Sequence, residues 1–298
     1  MKRIVIILAL TLIGVGAFSF KSFAEDTNQP KDIGLSIEVG ADVVSSYLWR
    51  GQNIGGISIQ PSVTLDWRGL YVSGWASIGA DNWTFEELSP ELDVTIGYDN
   101  YGVQVDLTHL YYFNNEAYFP KGGFKALPDD TISTSTMEAH IGFHLGDLVE
   151  KVPLSLDWYT TIYGADCYQD KSDEGKWKRA WSTYIQVGYT FSLPLGIDLQ
   201  TNIGFTPWLG MYSNYKEVWK NAKTVAINNI HLRAERYFEL KDIELGLWAE
   251  CMLNCYGIDK TNVKTELSSV INDFEQGNNN YQRLNWSIGG CLYFSTEW

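Results

Sequence analysis

Four histidines are the first candidates for chemistry: His109, His140, His144 and His231. His140-Ile-Gly-Phe-His144 has the i, i+4 spacing that would pair two imidazoles on one helix face and suit zinc. On a strand the same spacing holds them about 13 Å apart, which leaves two polar residues on one face rather than a chelate. A hydrolase needs a nucleophile, a His and an orienting polar group meeting in space. The chain holds no HExxH, GxSxG or P-loop motif, and its histidines are scattered. The cysteines Cys167, Cys251, Cys255 and Cys291 offer no obvious bridge. On one strand, Cys251 and Cys255 lie about 13 Å apart, beyond the ~7 Å Cα reach of a disulfide. Free thiols, no metal and no cofactor are the expectation.

The carboxylates are more regular. Glu38, Asp42, Asp66, Glu91, Asp93, Asp106, Glu138, Asp157, Asp198, Glu235, Glu244 and Glu250 each alternate with apolar neighbours. So do the cations Arg50, Arg233 and Arg283. Alternation of this kind has the period of a β-strand with one apolar face. Residues 33–50 read as one strand, with Ile33, Leu35, Ile37, Val39, Ala41, Val43, Tyr47 and Trp49 on one side and Glu38, Asp42, Ser46 and Arg50 on the other. Eleven further runs follow, near 57–67, 70–79, 91–98, 103–112, 137–145, 154–163, 181–191, 197–205, 230–238, 243–250 and 284–294. In the run 70–79 aromatic residues stand on both faces, with Tyr71 and Trp75 opposite Leu70, Val72, Ala76 and Ile78.

Residues 1–24 read as a Sec signal peptide: Lys2 and Arg3, an apolar run from Ile4 to Ala17, and Ser22-Phe23-Ala24 before the cut. Residues 25–32 form a short lead, and 33–298 a single domain. Without Lys2, Arg3 and Lys21, the 22 Lys and Arg fall to 19 against 36 Asp and Glu, a net of −17. Such a surface repels nucleic acid. No later apolar run reaches the ~18 residues of a membrane helix.

The connections favour one architecture. Those after the even-numbered strands are short (Arg68-Gly69, Asn100-Tyr101, 147–152, Pro194-Leu195, Lys241-Asp242), and those after the odd-numbered strands are mostly long (51–56, 80–90, 114–132, 164–179, 207–224, 257–280). The expectation is an all-β fold: a twelve-stranded antiparallel up-and-down transmembrane β-barrel with short periplasmic turns and long extracellular loops, in the outer membrane of a Gram-negative bacterium. Closure pairs every backbone group, as lipid requires. Trp49, Trp67, Tyr98, Tyr111, Tyr237 and Trp286 fall near strand ends and are read as an outward aromatic girdle. Phe294 and Trp298 end the last strand in one parity, a terminal signal for the barrel-assembly machinery. The expected partners are that machinery, outer-membrane lipid and small solutes.

From 41 to 113 the chain carries an ordered set of residues: Tyr47, Arg50, Gly51, Gln60, Pro61, Gly69, Tyr71, Trp75, Glu91, Leu92, Asp93, Tyr111 and Tyr112. Together they resemble the pattern of the TorF-like family of outer-membrane β-barrel proteins. The resemblance covers about a quarter of the chain and implies an outer-membrane barrel, with no established substrate.

The inward carboxylates imply a lumen that favours cations over anions. Tyr71, Trp75, Tyr159, Tyr163 and Trp248 would narrow it. The leading expectation is a narrow channel for small cationic or neutral solutes. A non-conducting structural or surface-binding barrel is the alternative, and an outer-membrane hydrolase the third. Arg50 is expected to face inward at the mouth and to pair with Glu91 or Asp93.

Overall fold

The structure, a computed structural model, describes residues 34–79, 91–112, 135–149, 152–164, 166–170, 176–208, 226–240, 243–255 and 284–297. The signal peptide and lead, Arg283, Trp298 and the side chains of Tyr112 and Cys167 lie outside the described residues.

Twelve antiparallel strands close into one barrel. In chain order they are β1 (Leu35–Val44), β4 (Ser58–Trp67), β5 (Leu70–Gly79), β6 (Glu91–Asn100), β7 (Val103–Tyr112), β8 (Ser135–His144), β9 (Leu154–Gly164), β12 (Thr183–Leu193), β13 (Ile197–Thr206), β14 (Ala226–Leu240), β15 (Ile243–Asn254) and β16 (Leu284–Glu297). Each pairs with its neighbours in the chain, and β1 against β16 closes the ring, from Ser36 opposite Glu297 to Val44 opposite Gly289. Two hairpins stand apart from the wall: β2 (Tyr47–Trp49) with β3 (Gln52–Gly55), and β10 (Cys167–Asp170) with β11 (Lys176–Arg179). A 3₁₀ turn over Leu145–Asp147 is the helical element among the described residues.

Alternation along the strands becomes two faces of the wall. Outward side chains are apolar and exposed, as with Ile96 at 60% and Trp286 at 62%. Inward ones are polar and buried, as with Glu91 at 3% and Asp157 at 5%. A water-soluble domain distributes these types the other way round. Trp67, Tyr98 and Trp286 stand exposed on the outer face, which Phe294 shares with Leu292 by parity. Tyr71 and Trp75 turn inward, which settles the two-faced run of β5: Tyr71 donates to Asp106, and Trp75 meets Tyr47.

Four aromatic residues are placed differently from the sequence expectation. The first strand ends at Val44 rather than running to Arg50. Ser45 N donates to Ile288 O at 2.9 Å. Ser287 Oγ then accepts from Ser46 N at 3.1 Å and donates to Ser46 O at 2.8 Å. These bonds hold a bend that resets the parity, so Tyr47 and Trp49 enter the barrel instead of facing outward. A register shift at Met137/Glu138 sets Tyr163 opposite Met137, on the apolar face rather than in the lumen. Tyr237 keeps strict alternation with Glu235 and donates to its carboxylate at 3.1 Å, which makes it lumenal and no part of an outer girdle.

A hairpin across the lumen as the candidate functional site

The β2–β3 hairpin turns at Arg50-Gly51, with Trp49 opposite Gln52. Both turn residues have positive φ, 45° and 88°, as the tight two-residue turn of a twisted hairpin requires. Glycine meets this freely, whereas arginine in that region is strained. Contacts across the barrel hold the arginine there. Its guanidinium makes a bidentate pair with Glu138, Nη1 to Oε2 at 2.5 Å and Nη2 to Oε1 at 2.7 Å. It also lies over the rings of Tyr159 at 4.0 Å, Trp49 at 4.7 Å and Tyr184 at 5.0 Å. Gly51 N donates to Met252 Sδ at 3.1 Å. In ring order β9, which carries Tyr159, is six strands from β1 in either direction. The hairpin therefore stands within the lumen, and its arginine reaches the far wall.

Arg50 is thus inward and paired, with Glu138 rather than with the expected Glu91 or Asp93. The strand break explains the difference. An arginine on the wall at the end of β1 would have faced the near strands, whereas a hairpin tip reaches the opposite side. Glu91 is buried in the lumen, and one oxygen of Asp93 is buried with no hydrogen-bond partner among the described residues.

Two further polar networks line the wall. In the first, His140 Nδ1 stands 2.7 Å from Asp106 Oδ2 and its Nε2 stands 3.1 Å from Asp157 Oδ1. His144 Nε2 is 3.1 Å from that same Asp157 oxygen. The two imidazoles that strand spacing alone would hold apart lean together over Gly142, which lies opposite Asp157. A Cβ at Gly142 would come within 3.0–3.2 Å of Asp157 and both rings. Tyr71 and Gln104 add hydrogen bonds to Asp106, and Tyr159 stacks on His140 with centroids 4.2 Å apart. Alternation along the strands places both aspartates inward but does not show this convergence. Its signal was a glycine midway between the two histidines.

In the second network, Arg233 Nε donates to Glu235 at 2.8 Å, lies 4.2 Å over Trp248, and has Glu250 4.0 Å from Nη1. His231 meets Glu250 at 3.0 Å, and Gln200 donates to Glu235 at 2.5 Å. Asp42 accepts from Tyr293 at 2.6 Å, and Glu38 lies opposite Ser295 and Thr64. Among the described residues, no Ser, Thr or Cys side chain is hydrogen-bonded to His140, His144 or His231, and no cluster of three ligating side chains suits a metal ion. Cys251 and Cys291 are free thiols.

The hairpin divides the lumen without filling it. Leu48 borders a cavity of about 100 Å³ with Asp42, Gln60, Arg233 and Trp248 on one side. It also borders one of about 300 Å³ on the other, walled by Trp49, Arg50, Tyr159, Tyr184 and polar side chains of β12 to β14.

No protein-family model and no curated protein matches the chain. Among solved structures it is similar to the NanC porin, with a TM-score of 0.43 and 11% identity over 87% of this chain and 98% of that one. An outer-membrane channel from Pseudomonas putida F1 gives 0.42 and 12%, over 92% of this chain and 100% of that one. OprB from Pseudomonas putida gives 0.31 and 10%, over 88% and 94%.

Proposed function

We propose that this barrel spans the outer membrane as a narrow channel for small neutral or cationic solutes. One observation carries the reading: an apolar outer face encloses a polar, acid-rich lumen that a hairpin constricts but leaves cavities in. An outer face of this kind suits lipid, and a closed sheet leaves no backbone group unpaired within it. Lumenal carboxylates outnumber lumenal arginines, so the field inside favours cations. The resemblance to the TorF-like family carries the same expectation of an outer-membrane barrel.

Single-channel recording in planar bilayers tests this. The folded barrel is expected to show a small conductance whose reversal potential in a salt gradient has the sign for cations. Val44 and Ser58 are paired neighbours on the wall, so a short Gly-Ser turn can replace residues 45–57. Without the hairpin the conductance should rise several-fold. The hairpin spanning the lumen also favours a second reading, a closed barrel. A silent parent with a conducting hairpin-free variant would establish that reading, and silence from both folded proteins would end the channel proposal.

A further inference from the structure

The long-loop end of the barrel carries a patch of tryptophans. Trp158 on β9, Trp181 ahead of β12 and Trp208 after β13 are all exposed. Trp158 and Trp208 meet with ring centroids 6.5 Å apart. Trp208 Nε1 donates to Trp181 O at 2.9 Å, and Trp158 Nε1 donates to Thr160 Oγ1 at 2.9 Å. Two of the three indole N–H groups are therefore spent within the protein. What those two rings offer a ligand is their apolar surface.

A cation stands against this patch. The Arg179 guanidinium lies 6.0 Å from the ring centroids of Tyr163 and of Trp181. Its Nη1 donates to Gly164 O at 3.5 Å. Arg50 and Arg233 have carboxylate partners, whereas Arg179 has none among the described residues. The buried carboxylate of Asp166 is engaged instead by Ser182, through its N at 2.8 Å and its Oγ. Ala180 N donates to Asp166 O at 3.0 Å, and Thr161 N to Ser182 O at 2.9 Å. These bonds tie the chain on either side of Trp181 to the wall. The strand that ends on this arginine, β11, reads Lys176-Trp177-Lys178-Arg179. Three cations in four residues stand here in a chain whose 36 Asp and Glu outweigh 22 Lys and Arg.

Exposed tryptophans at a membrane girdle are ordinary, but lipid tails alone give an arginine nothing to bind. Apolar rings suit acyl chains. A guanidinium without a carboxylate suits a phosphate, which its planar fork meets in two bonds. The two features adjoin, so one amphiphile with apolar tails and an anionic head answers both. A free anion would leave the rings bare, and a neutral lipid would leave the arginine unanswered. The long-loop end of such a barrel faces outward, toward a leaflet of acylated glucosamine lipid that bears phosphates. We infer that the sector from β9 to β13 holds one phosphorylated glycolipid of that leaflet, with acyl chains on the tryptophans and a phosphate on Arg179. The inference rests on the barrel spanning the outer membrane and is independent of conduction.

Native mass spectrometry of the detergent-solubilised mature chain, refolded from urea to remove cellular lipid, tests it. The probes are diphosphoryl lipid A, the same lipid stripped of its phosphates, and inorganic phosphate. One diphosphoryl lipid A per barrel is expected to stay bound. The stripped lipid should bind about tenfold more weakly, the loss of a charge-assisted contact. Arg179→Gln should weaken the diphosphoryl form by about the same factor and leave the stripped lipid unchanged. Trp208→Ala should weaken both lipids. Arg68→Gln, at the opposite rim, should change neither. Circular dichroism and heat-dependent gel mobility report folding. If Arg179→Gln fails to fold, the parent's preference between the two lipids and the Trp208→Ala variant decide. Equal binding of the two lipids, parental affinity in folded Arg179→Gln, or an equal loss in Arg68→Gln would overturn the proposal. Displacement of the lipid by inorganic phosphate would overturn it too, by marking a plain anion site. Lipid binding and conduction are separate readouts. A conducting barrel without bound lipid removes this site and leaves the channel, whereas a silent barrel that retains the lipid removes the channel and leaves the site.

Discussion

Trp-Arg-Gly occurs twice in the first third of the chain, at Trp49-Arg50-Gly51 and at Trp67-Arg68-Gly69. Both copies make the same turn: Arg50 and Arg68 have φ of 45° and 55°, and both glycines have 88°. In both, the guanidinium lies over the preceding tryptophan, at 4.7 Å and 5.8 Å. The surroundings differ completely. Trp67 and Arg68 are exposed at the short-turn end of the wall. Trp49 and Arg50 sit inside the lumen, where Arg50 grips Glu138. Local sequence specifies the turn, then, and the attached strands decide its use. The second copy joins two wall strands in full register. The first is cut from the wall by the Ser45-Ser46 bend and swings inward.

The largest expected contrast comes from removing each arginine. Arg50→Ala strips a buried carboxylate of a bidentate partner, with side-chain exposures of 10% and 9% for the pair. Breaking such a pair costs about 3 kcal/mol or more. Arg68→Ala should stay within about 0.5 kcal/mol of the parent, as surface changes usually do. Urea unfolding of the folded barrels in detergent measures both. Equal effects would mean that the docked hairpin adds no stability to the fold.

This contrast marks how far the sequence could be read. The wall was legible because a strand's period is short and repeats twelve times. Parity alone placed Glu138, Asp157, Arg233, Glu235 and Glu250 inward, where the structure has them. The Arg68-Gly69 turn was legible for the same reason, since apolar alternation resumes immediately on its far side. The hairpin was not. Its residues continue the alternation of β1, and what ends that strand is a set of hydrogen bonds to Ser287 and Ile288, more than 240 residues away. Parity is a local quantity and carries no record of such a bond. The Arg50–Glu138 pair and the aromatic cavity beside it were hidden with the bend. The bridge from His140 and His144 to Asp157 was hidden differently, because it depends on the register between β8 and β9.

A smaller contrast should separate the two glycines. Alanine at Gly51 forces a side chain into the left-handed region, at about 1 kcal/mol. At Gly69 the same strain applies, and a Cβ would also stand 2.5 Å from Asp99 O. That carbonyl belongs to the next turn, and Asp99 N donates to Gly69 O at 2.8 Å. Gly69→Ala should therefore cost about 2–3 kcal/mol, adding displaced backbone to the strain. The exposed copy of the motif would then be the less tolerant at its glycine and the more tolerant at its arginine. That crossing of effects separates a turn packed against its neighbour from a turn held by its side chain.

The finest test asks whether charge or shape holds the hairpin. Arg50→Lys keeps the cation but replaces a planar fork by a point charge, so one of the two bonds to Glu138 is lost and the stacking on Tyr159 weakens. A charge-assisted hydrogen bond of this kind is worth about 1.5 kcal/mol, and the variant should lose roughly that, well short of the alanine change. Arg68→Lys should be silent, because nothing described at that turn uses the fork. If Arg50→Lys were as stable as the parent, a cation of either shape would suffice and the aromatic rings would be lining rather than clamp. If it were as damaging as Arg50→Ala, geometry would dominate, and the strained φ of Arg50 would be what it costs to aim a planar fork across the lumen.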